Sequence, residues 1–122
     1  MARKPRIEYP GGIYHVVQRA NNREFFFEDN AMKELLLDLI TDYREKLGFE
    51  LFGYVIMSNH YHLIIRQTEI SLHKVMHHIL SVFSRRYNLV NHRSGHVFES
   101  RYKAIPVMDD KYILSLLRYI HK

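Results

Sequence analysis

Hydrophobic positions along this chain recur with two different periods, and each switch of period marks an element boundary. The run Ile13-Tyr14-His15-Val16-Val17-Gln18-Arg19 is β-branched and aromatic and predicts a strand. Asn21-Asn22-Arg23 reads as a polar turn, followed by the short apolar segment Phe25-Phe26-Phe27. Met32, Leu35, Leu36, Leu39, Ile40 and Tyr43 then alternate spacings of three and one, which lays them along one face of a helix. Asp29 is placed to cap that helix and Gly48 to stop it. Residues 50–57 and 60–66 predict two strands, with Ser58-Asn59 as a tight connection or a bulge between them. Ser71 can cap a second helix whose core face is Leu72, Val75, Met76, Ile79, Val82, Phe83 and Tyr87. Its other side carries His73, Lys74, His77, His78, Arg85 and Arg86. After the turn at residues 91–95, a strand is expected over residues 97–105. Asp109 or Asp110 caps a third helix marked by Ile113, Leu116, Leu117 and Ile120.

The predicted order is β-α-β-β-α-β-α. Its first six elements match the split βαβ, ferredoxin-like motif, an α+β fold with an antiparallel sheet against two helices. One sheet face is left free unless the last helix covers it. Such a fold names no function by itself.

Composition narrows the picture modestly. At 122 residues, with no repeat, linker or low-complexity tract, the chain fits one domain over 1–122, with residues 1–10 as a basic arm. No apolar run approaches the ~18 residues that span a bilayer. No apolar stretch follows the basic N-terminus, so no secretory signal is expected. Cysteine is absent, which excludes disulfides and thiolate metal sites and fits a reducing cytoplasm. The net charge of +5 suits a polyanionic partner, although many basic proteins have none.

The densest chemistry lies in Asn59-His60-Tyr61-His62-Leu63, inside an apolar strand. Alternate strand residues share a face, so His60 and His62 stand side by side with Cα atoms roughly 6–7 Å apart. Two neutral imidazoles so placed can converge on one divalent cation. His-x-His alone is weakly specific, because two histidines on an exposed strand face look the same. No third ligand lies nearby in sequence, which would leave the site open, as catalytic metals require. Zinc is one candidate; Mg²⁺ or Mn²⁺ suits phosphate chemistry better. Tyr119 lies at the edge of the last helical stripe, so its ring can pack while its hydroxyl faces outward. A tyrosine hydroxyl can attack a phosphodiester. Basic residues collect on the arm (Arg3, Lys4, Arg6), around the first strand (Arg19, Arg23), on the second helix (Lys74, Arg85, Arg86) and near the later strand (Arg93, Arg101, Lys103). Any one of them is ordinarily a solvated surface charge, but together they could form a groove for a phosphate backbone. Tyr14, Tyr61, Tyr87 and Tyr102 are candidate stacking surfaces for unpaired bases. His73, His77 and His78 read as a polar helix face.

Gly53-Tyr54-Val55-Ile56-Met57-Ser58-Asn59-His60-Tyr61-His62-Leu63 resembles the core of the single-tyrosine HUH transposases, in particular the REP-associated tyrosine transposases. Gly11-Gly12-Ile13-Tyr14-His15-Val16 resembles the start of that family. Gly95-His96-Val97-Phe98-Glu99-Ser100-Arg101-Tyr102-Lys103 resembles its later strand, and Arg118-Tyr119-Ile120-His121 the segment with the nucleophilic tyrosine. These matches run in order along nearly the whole chain.

The resemblance implies that His60 and His62 bind a divalent metal, Mg²⁺ or Mn²⁺, at the scissile phosphate. It implies that Tyr119 attacks single-stranded DNA, leaving a 5′-phosphotyrosine and a free 3′-hydroxyl, and that a second strand end reverses the attack. It implies hairpin or palindromic repeat DNA as partner, with base contacts from the N-terminal region, for which Arg3, Lys4, Arg6, Asn21, Asn22 and Arg23 are candidates by position; Arg85, Arg86, Arg101 and Lys103 are candidate DNA contacts from the charge pattern alone. It also implies a bacterial cytoplasmic protein, nucleoid-associated when bound, with no membrane partner, acting as a monomer or homodimer; Tyr119 could then serve in trans. The family usually continues past this tyrosine with an Asn-Pro pair, a basic tail and a further metal ligand about one helical turn on. This chain stops at Lys122, so the expectation is a domain shortened at its C-terminus and lacking that ligand. Two other classes compete. A non-catalytic nucleic-acid-binding module would bind hairpins without metal. A Zn²⁺ hydrolase of small molecules would need a carboxylate base that the sequence does not place beside the pair.

Overall fold

The computed structural model describes residues 10–20, 30–92, 94–98, 101–107, 111, 114, 115 and 118. Six elements follow in order: β1 (Ile13–Arg19), α1 (Asn30–Leu47), β2 (Glu50–Met57), β3 (His60–Arg66), α2 (Leu72–Val90) and β4 (Lys103–Val107). The strands form one sheet in the order β2-β3-β1-β4, with every neighbouring pair antiparallel. β3 thus separates β1 from β2, the two strands that α1 connects. This is the ferredoxin-like arrangement expected from the periodicity.

Both helices lie on one face of the sheet. From α1, Met32, Leu36, Leu39 and Ile40 are buried. Leu72, Val75, Met76, Ile79, Phe83 and Tyr87 of α2 join them. They pack against Tyr14 and Val16 of β1 and Tyr61, Leu63 and Ile65 of β3 in one cluster. Burying a large apolar side chain contributes roughly 1.5–3 kcal/mol, so this layer carries most of the fold's stability. Local signals fix the helix ends. Gly48 takes φ 76° after the last turn of α1. The Ser71 hydroxyl accepts from the Lys74 amide 3.3 Å away at the start of α2. The entry to β1 is pinned to the exit of β3: the Gly11 amide donates to the Gln67 carbonyl and the Gln67 amide to the Gly12 carbonyl. Gly11 needs its freedom there, at φ 83°, and a Cβ on Gly12 would come within 2.8 Å of the Tyr14 hydroxyl.

Two expectations change. The last strand begins at Lys103 and runs through Pro106 to Val107, later than the predicted 97–105, and Phe98 instead makes an isolated bridge to Ala20. Pro106 is tolerated because β4 is an edge strand, where a missing amide breaks no central ladder. Tyr14, Tyr61, Tyr87 and Tyr102 are all buried, so none is a base-stacking surface. Tyr14 and Tyr61 point to the helix side of the sheet, Tyr87 lies on the core stripe of α2 and Tyr102 just before β4, and all four rings join the core cluster. Of the expected third helix, the described residues Lys111, Leu114, Ser115 and Arg118 are helical. Tyr119 lies outside the described residues, as do Asp29 and Phe25-Phe26-Phe27. No described helix is long and apolar enough to cross a membrane.

Candidate metal centre

β3 is a central strand whose two faces do different things. Its odd residues, Tyr61, Leu63 and Ile65, point into the core, so His60 and His62 must point to the face opposite the helices. Antiparallel register extends each position into a row across the sheet. Val55 of β2, His62, Val17 of β1 and Lys103 of β4 form one row. Met57, His60 and Arg19 form the next, and Gly53, Ile64, His15 and Ile105 the row on the other side. Directly paired residues share a face, so His15, Arg19, His60, His62 and Lys103 all belong to this second face.

The two histidine rings are half-buried, with centres 5.2 Å apart and planes 74° from parallel. Each engages a neighbour through Nδ1. His60 Nδ1 lies 2.9 Å from Asn59 Oδ1, an acceptor only, so Nδ1 donates and Nε2 keeps its lone pair. Asn59 is itself held at the β2–β3 turn, where its carbonyl accepts from the Ala20 amide at 2.9 Å. His62 Nδ1 lies 2.9 Å from His15 Nε2.

Both histidines are held neutral near pH 7. Burial lowers the pKa of His60, and the Arg19 charge adds to the effect. Burial, followed by repulsion from His15, His60 and Arg19, lowers that of His62 to about 4. Burial also lowers that of His15. Neutral imidazoles are what a metal requires, so the pair fits a divalent cation as two of its ligands. Among the described residues no group of three or more His, Cys, Asp or Glu is arranged to hold an ion. The remaining coordination positions would fall to water, substrate oxygens or residues outside that set.

The other candidate residues separate by layer. Lys103 is exposed on the histidine face, one row position beyond Val17 from His62. Arg101 is exposed just before β4. Arg85 and Arg86 are exposed on α2, in the helix layer on the other side of the sheet. The α2 stripe that packs on the sheet turns their side of the helix to solvent, so they do not share a groove with the histidines. Instead they line a shallow cavity of about 420 Å³ with Leu39, Asp42, Tyr43 and Lys46 of α1. His73 and His77 stack on the exposed side of α2, and His78 stacks on Tyr43. Arg3, Lys4, Arg6, Asn21, Asn22 and Arg23 lie outside the described residues.

A family model described as "Transposase IS200 like" matches residues 9–122. The chain belongs to that transposase family. No curated protein matches the chain by sequence. Among solved structures, a REP-associated tyrosine transposase bound to a REP hairpin superposes with a TM-score of 0.82 at 16% identity, over 99% of this chain and 71% of that one. A protein assigned as a transposase from Deinococcus radiodurans R1 superposes with a TM-score of 0.64 at 17% identity, over 99% and 95%. At such identities these likenesses establish the α+β fold, which family members share with this chain.

His15 and Arg19 are the members of the site that sequence reasoning passed over: His15 read only as part of a strand, Arg19 only as one more basic residue. The usable signal was alternation. Both occupy odd positions of an apolar strand that the ferredoxin-like order places beside the His-x-His strand.

Proposed function

We propose that this chain nicks and rejoins single-stranded DNA through Tyr119, with a divalent metal, Mg²⁺ or Mn²⁺, held by His60 and His62. The observation that carries the reading is the pair itself. Two neutral, side-by-side imidazoles, each anchored through Nδ1, stand on the sheet face away from the core of a transposase-family chain. When bound, the metal supplies charge stabilisation at a non-bridging oxygen of the scissile phosphate.

The chain's own residues do the rest. Arg19, opposite His60 in the sheet, adds a fixed positive charge beside the phosphate. Lys103, in the row of His62, gives a second contact for the backbone. The Tyr119 hydroxyl oxygen forms a bond to phosphorus while the bond to the 3′-oxygen breaks. The proton lost by tyrosine is balanced by the one the 3′-oxygen gains. One phosphodiester replaces another, so the adduct retains the means to rejoin DNA when a new 3′-hydroxyl attacks it. The substrate class is hairpin or palindromic repeat DNA, supported by the relative bound to a REP hairpin. Arg3, Lys4, Arg6, Asn21, Asn22, Arg23 and Arg101 are proposed as further DNA contacts. The setting is the bacterial cytoplasm.

The test is covalent capture of a labelled single-stranded hairpin in Mn²⁺, read as a band shift on a denaturing gel. Wild type should form the adduct, EDTA should prevent it, and Tyr119→Phe should abolish it. An adduct that persists in Tyr119→Phe assigns the nucleophile elsewhere. Equal hairpin binding in EDTA with no adduct at all points to the non-catalytic module.

A further inference from the structure

His15 and His62 meet in a way that decides which nitrogen of His62 is available. Their near nitrogens are 2.9 Å apart, while the ring centres are 5.1 Å apart with planes only 17° from parallel. That centre-to-centre distance matches, within rounding, the N···N separation plus the two centre-to-nitrogen radii, which is the longest it could be. The rings therefore meet edge to edge, nearly coplanar, with the two nitrogens on the line joining them. Only a proton fits on that line. An ion between them would need two bonds of about 2.0–2.1 Å, more than the gap allows. His15 is thus a hydrogen-bond partner of His62 and not a second ligand through that nitrogen, consistent with the absence of a three-ligand group among the described residues.

We propose that His15 is a positioning residue that fixes His62 as its Nδ1–H tautomer, so that Nε2 faces outward with its lone pair free. His62 Nδ1–H donates to the unprotonated Nε2 of His15, whose own proton sits on Nδ1. Asn59 does the same for His60 by accepting from its Nδ1–H. The two rings then present the same nitrogen, Nε2, from two different anchors. The opposite polarity, His15 Nε2–H donating to His62 Nδ1, would put the His62 proton on Nε2 and remove one ligand from the pair. Outer partners of metal-binding histidines orient the ring and select its tautomer in this manner. His15 is suited to the task because it is buried and held in the register of a central strand, paired with Ile64 on one side and Ile105 on the other. The inference rests on the proposed metal reading for its purpose, though the tautomer is measurable without any metal.

The experiment compares the full chain with His15→Phe and His15→Gln. Phenylalanine fills the site but accepts no hydrogen bond; the glutamine amide oxygen can take the place of Nε2. Long-range ¹H–¹⁵N correlation on the metal-free proteins should report Nδ1–H for His62 in wild type and in His15→Gln, and Nε2–H or a mixture in His15→Phe. Mn²⁺ titration without DNA, followed by the EPR signal of free Mn²⁺, should find affinity about 10–100-fold weaker in His15→Phe and nearly restored in His15→Gln. Thermal unfolding confirms that both variants fold. A wild-type His62 carrying its proton on Nε2 overturns the proposal, as does a His15→Phe protein with an unchanged His62 tautomer. A folded His15→Gln as impaired as His15→Phe also overturns it, because packing or direct ligation would then be the role. A wild type that binds no Mn²⁺ yet shows His62 as Nδ1–H sinks the metal reading while leaving the tautomer assignment standing.

Discussion

Tyr61 and His62 are neighbours on β3 and answer to opposite environments. Tyr61 is fully buried among the helices, and its hydroxyl, held protonated by burial, donates to Gln18 Oε1 at 2.7 Å. His62, half-buried on the other face, has its pKa lowered instead and keeps a neutral ring beside His60 and Arg19. On the core face a polar atom is satisfied and hidden. On the histidine face, polar atoms are satisfied on one side of the ring only, leaving the other side for a ligand. One strand therefore supplies core packing through Tyr61, Leu63 and Ile65 and candidate chemistry through His60 and His62. The two roles should be separable by mutation.

The largest effects test that separation directly. Leu63→Ala should cost about 2–5 kcal/mol in urea unfolding, the usual price of a cavity in a packed core. His62→Ala should cost much less stability but reduce metal-dependent adduct formation by about 100-fold or more, the scale of several kcal/mol of lost charge stabilisation. Comparable destabilisation by both would mean that the histidine face is also structural core.

A smaller effect separates the two layers of basic residues. Lys103→Ala should weaken hairpin binding and lower the slope of log affinity against log salt by about 1, the signature of one lost phosphate contact. Arg85→Ala with Arg86→Ala should leave that slope unchanged if DNA lies on the histidine face. The reverse result would move the DNA to the helix layer, over the α1–α2 cavity.

The smallest is a dependence of stability on pH. His62 has a folded pKa of about 4 against an ordinary value of 6.5, so the unfolded chain binds more protons between those limits. Stability should be level above about pH 7 and fall as pH drops from 6.5 toward 4. His15 and His60, also lowered by burial, act in the same direction. Denaturant midpoints across that range should show the decline, and His62→Ala should flatten it. An equal decline in the variant would assign it to other groups.

Much of this molecule was legible as pattern. The strands over 50–57 and 60–66, the Ser71 cap, the Gly48 stop and the core stripe of α2 fall where period and capping chemistry put them. Local signals suffice for such features because they are decided within a few residues. The last strand was misplaced because Pro106 argues against a strand unless the strand is known to be an edge, and edge status belongs to the sheet. Tyr14 and Tyr61 were misread because alternation assigns strand residues to two faces without saying which face the helices cover; Tyr87 already stood on the core stripe of α2, which leaves its ring no free face.

By itself the sequence determined the order of elements, the ferredoxin-like class and the side-by-side placement of His60 and His62, since these follow from periods of 2 and 3.6 along one chain. It also carried the family motifs. Only the tertiary structure decided that His15 and Arg19 join the pair, that Arg85 and Arg86 stand apart from it, and that Nδ1 of each histidine is already engaged. Those facts depend on strand register and on which sheet face the helices cover. Both are set by packing between segments far apart in sequence.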